Sequence, residues 1–208
     1  YNWMAVFGWM RTSLTTRTRG GALASTYDHE EMKNAPLTEH GEISEEHLWD
    51  PLECFLKKII PVAEEAGVKQ GLHPDDPPVP TLGGVARIFG DFEGFRRAMD
   101  KYDSPHHGLD FCMGCWSEMG GHENVLEGIR YFGPQGKIIY IHFRDVTGTS
   151  ECFHENFIDA GQVDTFEVVK VLKEVGFDGF MIPDHVPHVV DDTGWAHRGR
   201  AHAIGFMQ

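Results

Sequence analysis

Long apolar runs are missing from this sequence, and no stretch of its 208 residues approaches the length of a membrane-spanning helix. Basic residues are scarce, since 18 lysines and arginines accompany 32 aspartates and glutamates, for a formal net charge of -14. That charge disfavours binding to nucleic acid or to an anionic membrane, because both require basic patches. Only 4 cysteines are present, which is not the pattern of a disulfide framework and favours a reducing, cytoplasmic location.

Histidine is abundant by contrast, and the 13 histidines suit a metal site or an acid–base site. A length of 208 residues with 41% hydrophobic residues predicts one folded domain with one core. The chain begins at Tyr1 inside the apolar segment 1–7, YNWMAVF, which predicts a buried strand. That start leads us to expect that the sequence lacks an N-terminal part.

Strand-like and helix-like patterns alternate along the chain. Further strands are predicted at 68–73, 108–114, 137–143 and 177–184. Helices are predicted at 44–67, 91–99, 122–132, 165–176 and 199–207, with Ser44, Asp91 and Asp164 as helix-starting residues. Segment 11–43 has no sustained period and is predicted to be a loop or insertion. The alternation indicates βα units and a parallel sheet.

Four of the predicted strands end in a potential metal ligand, namely His73, Cys112, His142 and Asp184. The intervals between these residues are about 30 to 42 residues, each close to the length of one βα unit. In a (β/α)8 barrel the carboxyl ends of the strands converge on one mouth, so these side chains are expected to meet there. Two imidazoles, one thiolate and one carboxylate suit zinc, iron, manganese or cobalt better than magnesium.

Each of these residues also has a structural explanation. A histidine at a strand end often only forms hydrogen bonds, a buried cysteine is often inert, and an aspartate before a loop often forms a turn. Cys112 and Cys115 form a C-x-x-C pair, but no second pair completes a zinc knuckle. A redox pair would open a helix, whereas Cys112 is predicted to lie inside a strand, so we interpret Cys112 as a ligand.

At these residues the sequence resembles the mannonate dehydratases, metal-dependent sugar-acid lyases with a xylose-isomerase-like TIM barrel. The similar segments span nearly the whole chain and are YNWMAVFGWMRT, HPDDPP, FCMG, IHFRDV, FID-GQVD, GFDGFMIPDH and GRAHAIGFM. The resemblance implies that His73, Cys112, His142 and Asp184 hold Mn²⁺ or Fe²⁺. It also implies a partial (β/α)8 barrel with about five of its eight strands, in which residues 1–208 form one incomplete domain without the first strands and the C-terminal end.

The resemblance also assigns roles around the metal. His185, directly after Asp184, corresponds to an acid–base residue of the family. The family has a tyrosine before the last helix, whereas this chain has WAHRGRAH at 195–202, and His197 is the nearest positional substitute. Arg144 shares a strand face with His142 and is a candidate for binding the substrate carboxylate, or for a structural ion pair. Arg11 is a second candidate of the same kind.

The implied reaction is the dehydration of D-mannonate to 2-keto-3-deoxy-D-gluconate, a hydro-lyase step of hexuronate and glucuronate catabolism. Asp75 and Asp76 are expected either to orient the metal ligands or to cap their loop. Two alternatives stay open: a sugar isomerase or epimerase on the same barrel, and an inactive truncated remnant. The expected partner is a small sugar acid, with no nucleic acid and no membrane, and homo-oligomerisation is compatible with the sequence.

Overall fold

The protein is described by a computed structural model that covers residues 1–4 and 8–208. The strands are β1 (Ser13–Arg17), β2 (Leu23–Asp28), β3 (Gln70–Leu72), β4 (Thr81–Leu82), β5 (Val85–Ala86), β6 (His107–Cys112), β7 (Ile138–His142), β8 (Val146–Thr149), β9 (Cys152–Glu155) and β10 (Phe180–Ile182). The helices are α1 (His29–Met32), α2 (Glu46–Ala66), α3 (Phe92–Lys101), α4 (Met113–Phe132), α5 (Thr165–Glu174) and α6 (His197–Met207). No helix within the described ranges is both long and apolar enough to cross a membrane.

A parallel sheet with strand order β10-β7-β6-β3 forms the centre of the fold. Helices α3, α4 and α5 lie between its successive strands in the chain, which confirms the predicted βα order of a partial (β/α)8 barrel. Residues 1–4 of the predicted first strand are not in a strand, and residues 5–7 lie outside the described residues. Tyr1 nevertheless runs beside β3, because its carbonyl oxygen accepts a hydrogen bond of 2.9 Å from the His73 amide.

The register of the parallel sheet aligns the strand ends that carry the predicted metal ligands. Cys112 of β6 is the direct partner of His142 of β7, and His142 is the partner of Ile182 of β10. His73 follows β3 directly, and Asp184 comes two residues after the end of β10. The carboxyl ends therefore bring these side chains to one edge, as expected for parallel strands that belong to a barrel.

A second, antiparallel sheet has the order β1-β2-β9-β8. Segment 11–43, predicted to be a loop, supplies two of its strands, β1 and β2, together with the short helix α1. The strands were missed because β1 is largely exposed and has no apolar alternation, although its sequence SLTTR is rich in strand-favouring threonine. Glu155 at the end of β9 and Arg11 just before β1 contact residues in the loops that follow the parallel strands.

The core packs helices α2 to α5 against the parallel sheet. Trp116 of α4 is buried and stacks on Phe111 of β6, with ring centroids 4.9 Å apart and ring planes 10° apart. Helix α4 starts directly after Cys112 and bends at Gly120 and Gly121, where Gly121 has a φ of 73°. The sequence predicted a strand as far as 114 and a helix only from 122, so it placed the start of this helix too late.

Two of the three predicted helix-starting residues act as side-chain caps. The Asp91 carboxylate accepts a hydrogen bond of 2.8 Å from the Gly94 amide. Asp164 accepts bonds from the amides of Phe166 and Glu167, at 3.0 and 3.1 Å. The third prediction is wrong, because α2 begins after Glu45 and the hydroxyl of Ser44 contacts the side chains of the following turn instead of a backbone amide.

Replacing Asp164 with alanine is expected to lower the free energy of unfolding by ~1 kcal/mol, because the first amides of α5 lose their acceptor. Chemical denaturation measures the change. Asp164→Ser is the matched control, since a serine hydroxyl can accept the same bonds, and it should lose less than half as much. Equal losses in the two variants would contradict the capping role.

Candidate metal centre and adjoining cavity

Three of the four predicted ligands form a compact cluster. One ligand atom from each of His73, Cys112 and His142 lies within 4.8 Å of the other two. The imidazole rings of His73 and His142 have centroids 5.1 Å apart and planes tilted by 54°. Cys112 is buried and both histidines are partly buried, so the cluster is largely screened from bulk water.

The second nitrogen of each histidine is held by the protein. His73 Nδ1 lies 2.7 Å from the Pro74 carbonyl oxygen, which leaves Nε2 for a ligand. His142 Nε2 lies 3.0 Å from the Tyr140 hydroxyl, and its Nδ1 is buried with no hydrogen-bond partner among the described residues. Metal-binding histidines are typically fixed through their other nitrogen in this way, and an orphaned buried nitrogen fits a metal ligand.

The electrostatics of the cluster favour a thiolate. Burial opposes ionisation of Cys112, but hydrogen bonding from Cys115 and the positive charge of Arg144 outweigh it and hold the pKa of the Cys112 thiol well below its usual value. Burial lowers the pKa of His73, whereas its hydrogen bond to Cys112 raises it, with a net value of about 9. A cation bound here would take the place of the histidine protons and face a thiolate, the form of cysteine that binds metals.

Asp184, the fourth predicted ligand, lies beside the three-residue cluster and not within it. Its Oδ2 is 3.6 Å from His142 Nδ1 and 3.2 Å from Arg144 Nε. The same oxygen is 3.7 Å from His185 Nε2. Asp184 therefore lies between the three-residue cluster and His185. Two imidazoles, a thiolate and an adjacent carboxylate form a donor set that fits a divalent transition-metal ion.

Tyr140 is expected to support the metal site through His142. Burial and the nearby Asp110 carboxylate raise the pKa of the Tyr140 hydroxyl, which therefore stays neutral beside His142 Nε2. Tyr140→Phe removes that contact while keeping the ring, and it should raise the dissociation constant for metal by ~10- to 100-fold. Competition with a fluorescent chelator measures the constant, and Tyr131→Phe, on an exposed ring of α4, is the control. An unchanged constant would contradict the role of Tyr140.

The two arginines predicted to bind the substrate carboxylate are instead enclosed by protein carboxylates. The Arg144 side chain is only 1% exposed and lies 3.1 Å from oxygens of Asp76, Glu118 and Glu155. Arg11 is equally buried and pairs with Asp76 at 2.5 Å and with Glu155 at 2.7 Å. Arg144 lies two residues beyond the end of β7, and its charge is already matched, so the geometry supports the alternative of a structural ion pair for both arginines.

A second group of potential ligands consists of Asp76, Cys115 and Glu118, whose ligand atoms lie within 4.8 Å of one another. Arg144 already supplies the positive charge at this group, since its guanidinium also hydrogen-bonds Cys115 Sγ at 3.1 Å. Burial raises the pKa of Glu118 well above its usual value, which reduces the negative charge further. This group is therefore the acidic part of a buried ion-pair network and not a second metal centre.

The two aspartates of the HPDDPP segment lie in that region. Asp75 accepts a hydrogen bond of 2.8 Å from the Phe89 amide and lies 3.7 Å from Arg87 Nη1. Asp76 pairs with Arg11 and Arg144. Asp75 therefore ties the loop after β3 to a neighbouring loop, and Asp76 ties it to the ion-pair network.

A cavity of about 260 Å³ lies at His185, the residue after Asp184, and its lining includes Trp9, Ser25, Glu155, His185, Trp195 and Arg200. The His185 side chain is 33% exposed, and its Nδ1 lies 2.8 Å from Glu155 Oε1. The rings of His185 and Trp9 pack edge to face at a centroid distance of 5.7 Å. His185 therefore presents one nitrogen to a buried carboxylate and its ring to the cavity.

The predicted second proton-transfer residue, His197, is not among the residues that line this cavity. It is exposed, it begins α6, and its Nδ1 pairs with the Thr193 hydroxyl at 2.8 Å. Trp195, two residues earlier, lines the cavity instead. The structure therefore offers no support for His197 in proton transfer. The prediction used its position in the sequence alone and did not account for the turn that precedes α6.

Glu155 and Tyr140 were not predicted as parts of the site. Glu155 ends β9 within the segment CFHENF, which has no motif that marks it, so only the fold reveals its contacts. Tyr140 precedes His142 by two residues in the strand pattern IIYIH, and that spacing places both side chains on one face. The sequence therefore contained a usable signal for Tyr140 and none for Glu155.

Comparison with known proteins identifies relatives along the whole chain. The family model described as D-mannonate dehydratase (UxuA) matches residues 1–40 and 34–208. Mannonate dehydratase 2 of Halalkalibacterium halodurans is 33% identical over 96% of this chain and 64% of its own length. Mannonate dehydratase of Thermotoga maritima is 34% identical over 89% of this chain and 60% of its own length. This chain therefore spans about three fifths of the length of these relatives.

A solved structure agrees with both the fold and the relatives. The crystal structure of mannonate dehydratase from Streptococcus suis serotype 2 matches all of this chain and 64% of its own chain, with a TM-score of 0.88 and 31% sequence identity. The backbone of the described residues therefore follows the corresponding part of that enzyme, including the parallel sheet on which the metal cluster stands.

Proposed function

This chain belongs to the mannonate dehydratase family, and we propose that it dehydrates D-mannonate to 2-keto-3-deoxy-D-gluconate with one divalent metal ion. The observation that carries the proposal is the position of Asp184, whose Oδ2 lies 3.6 Å from His142 Nδ1 and 3.7 Å from His185 Nε2. The three residues that could hold a metal ion and His185 thereby lie at the same end of the sheet, which supports the proposal. Members of this family depend on a metal, and the described residues contain a suitable cluster.

The ion is proposed to be Mn²⁺ or Fe²⁺, held by His73, Cys112 and His142 with Asp184 as the fourth ligand. Such an ion supplies Lewis-acid chemistry, which makes the proton next to a carboxylate easier to remove. The protein orients the ligands by fixing His73 through the Pro74 carbonyl and His142 through Tyr140. The partial burial of the cluster strengthens its electrostatic interactions relative to those in water.

The elimination of water requires two proton transfers. The C2–H bond breaks and its electron pair forms the C2=C3 double bond, while the C3–O bond breaks and the hydroxyl leaves as water after it receives a proton. The enol that results becomes the 2-keto acid when its C2 hydroxyl loses a proton and C3 gains one. His185 is proposed to carry one of these transfers through Nε2, because its Nδ1 is occupied by Glu155 and its ring lines the cavity.

The substrate carboxylate needs a cationic partner in the cavity. Arg200 of α6 lines it and is held there by bonds from its Nη1 to the carbonyl oxygens of Pro183 and Asp184, at 2.7 and 3.0 Å. We therefore propose that Arg200, and not Arg11 or Arg144, binds the substrate carboxylate. A small anionic sugar acid is the partner proposed on this basis, while a cytoplasmic location and a homo-oligomer stay predictions from the sequence.

Product analysis tests the proposed function. The purified protein is incubated with D-mannonate and Mn²⁺, and the products are identified by NMR. A 2-keto-3-deoxy acid is expected, formed with loss of one proton from C2. An isomerase or epimerase would instead return a sugar acid of unchanged composition, and an inactive remnant would return the substrate unchanged. Either of these results would contradict the proposal.

A further inference from the structure

Three basic side chains converge on the buried carboxylate of Glu155. It is the last residue of β9 and is buried. Its Oε1 lies 2.8 Å from His185 Nδ1, 2.7 Å from Arg11 Nη2 and 3.1 Å from Arg144 Nη1. One oxygen atom therefore contacts the proposed acid–base histidine and two arginines at the same time.

The two arginines have little freedom to move. Arg11 is also bound by Asp76 through two nitrogens, at 2.5 and 3.0 Å. Arg144 lies so close to Gly114 that a Cβ atom there would be 2.5 Å from Arg144 Nη1, a contact that real side chains do not make. The glycine thus leaves the space that the guanidinium fills. Glu155 is consequently held from two sides in one position.

We infer that Glu155 is a positioning residue that holds His185 with its Nδ1 hydrogen bonded and its Nε2 directed to the reacting substrate. The inference rests on the proposed function. With the Nδ1 proton donated to Glu155, the neutral imidazole has its lone pair on Nε2, the nitrogen that lies 3.7 Å from Asp184 Oδ2. The sheet β1-β2-β9-β8 thus contributes to catalysis through β9, although none of its residues belongs to the metal cluster.

The charge of Glu155 also fits this role. When Nε2 accepts a proton, the imidazolium that forms lies beside a fixed carboxylate, and a carboxylate in that position stabilises it. Burial opposes ionisation of Glu155, but the charges of Arg144 and His185 outweigh it and hold the pKa of Glu155 well below its usual range. The arginines therefore keep the positioning group ionised, which gives Arg11 and Arg144 an indirect function.

The test compares Glu155→Gln with Glu118→Gln in the purified protein loaded with Mn²⁺. Both changes replace a buried carboxyl group that lies 3.1 Å from Arg144 with an amide of nearly the same size, but only Glu155 contacts His185. Glu155→Gln should lower kcat by ~10- to 100-fold with the KM for D-mannonate and the metal content unchanged. Glu118→Gln should leave kcat within about twofold of the unmodified protein, since the partner of His185 is intact.

Glu155→Asp provides a second variant if the glutamine variant does not fold. It keeps the charge that Arg11 and Arg144 require but withdraws the carboxylate from His185 by one methylene, so the same loss of kcat is expected. The double variant Glu155→Gln/His185→Asn should be no slower than His185→Asn alone, because a residue that acts only through His185 has no further effect once His185 is gone.

Failures of the inference and of the proposed function give different results. If His185→Asn lowers kcat while Glu155→Gln and Glu155→Asp retain it, Glu155 does not position His185 and the inference is overturned. An additive loss in the double variant, or equal losses from the changes at Glu155 and Glu118, would show a structural role and overturn it as well. Absence of dehydration by the unmodified protein would overturn the proposed function, and the inference with it.

Discussion

Replacing Cys112 with serine is expected to weaken metal binding by more than ~100-fold. This loss is larger than the usual loss from replacing a residue that only hydrogen-bonds a metal ligand. The thiolate is the one anionic donor within the three-residue cluster, and its pKa is held low despite burial. A neutral hydroxyl is a poor substitute for a thiolate. Metal bound per chain after equilibration with limiting free Mn²⁺, measured by mass spectrometry, gives the result.

Cys54→Ser is the matched control for this change, because Cys54 is an exposed free cysteine of α2. It should bind metal as the unmodified protein does. Circular dichroism of both variants separates loss of a ligand from loss of the fold. If Cys112→Ser binds metal as tightly as the control, Cys112 is not a ligand and the assignment of the cluster is wrong.

Replacing His185 with asparagine is expected to lower turnover by ~10²- to 10⁴-fold, the usual worth of a positioned acid–base group. Metal content should not change, because His185 is not one of the three clustered ligands. The KM for D-mannonate should stay within a few-fold, since the change leaves Arg200 and the rest of the cavity lining in place. Steady-state kinetics and metal analysis on one preparation provide all three quantities.

His202→Asn is the control for His185→Asn, since His202 is a partly exposed histidine of α6 whose Nε2 lies 3.8 Å from Asp159. Its turnover should match the unmodified protein. A histidine that only supports its loop would show a different pattern, in which His185→Asn lowers the melting temperature and leaves turnover per folded molecule nearly unchanged. Loss of metal together with turnover would instead make His185 a ligand.

Much of the parallel sheet could be predicted from the sequence because its strands are short apolar runs that end at polar residues. The ligand cluster followed from the same feature, since carboxyl ends of parallel strands meet at one edge. His73, Cys112 and His142 are brought together as predicted. Asp184 was placed at the correct edge, but only the structure shows that its carboxylate also faces Arg144 and His185.

The roles of the arginines could not be predicted in the same way. The spacing of two residues from His142 predicted Arg144 near the cluster, and its Nε lies 3.2 Å from Asp184, but spacing carries no information about its other partners. Its partners Asp76, Glu118 and Glu155 come from three distant segments of the chain. The exposed strand β1 escaped prediction for a related reason, because a strand without a buried face has no apolar period.

The most direct test of the central claim is a metal titration of D-mannonate dehydration. Metal is removed from the purified protein with a chelator, Mn²⁺ is added back in steps, and the 2-keto-3-deoxy acid is measured at each step. A single metal centre at His73, Cys112 and His142 predicts no product without metal and a rate that rises to saturation at one ion per chain. Product formation by the metal-free protein, or none at saturating Mn²⁺ and Fe²⁺, would contradict the account.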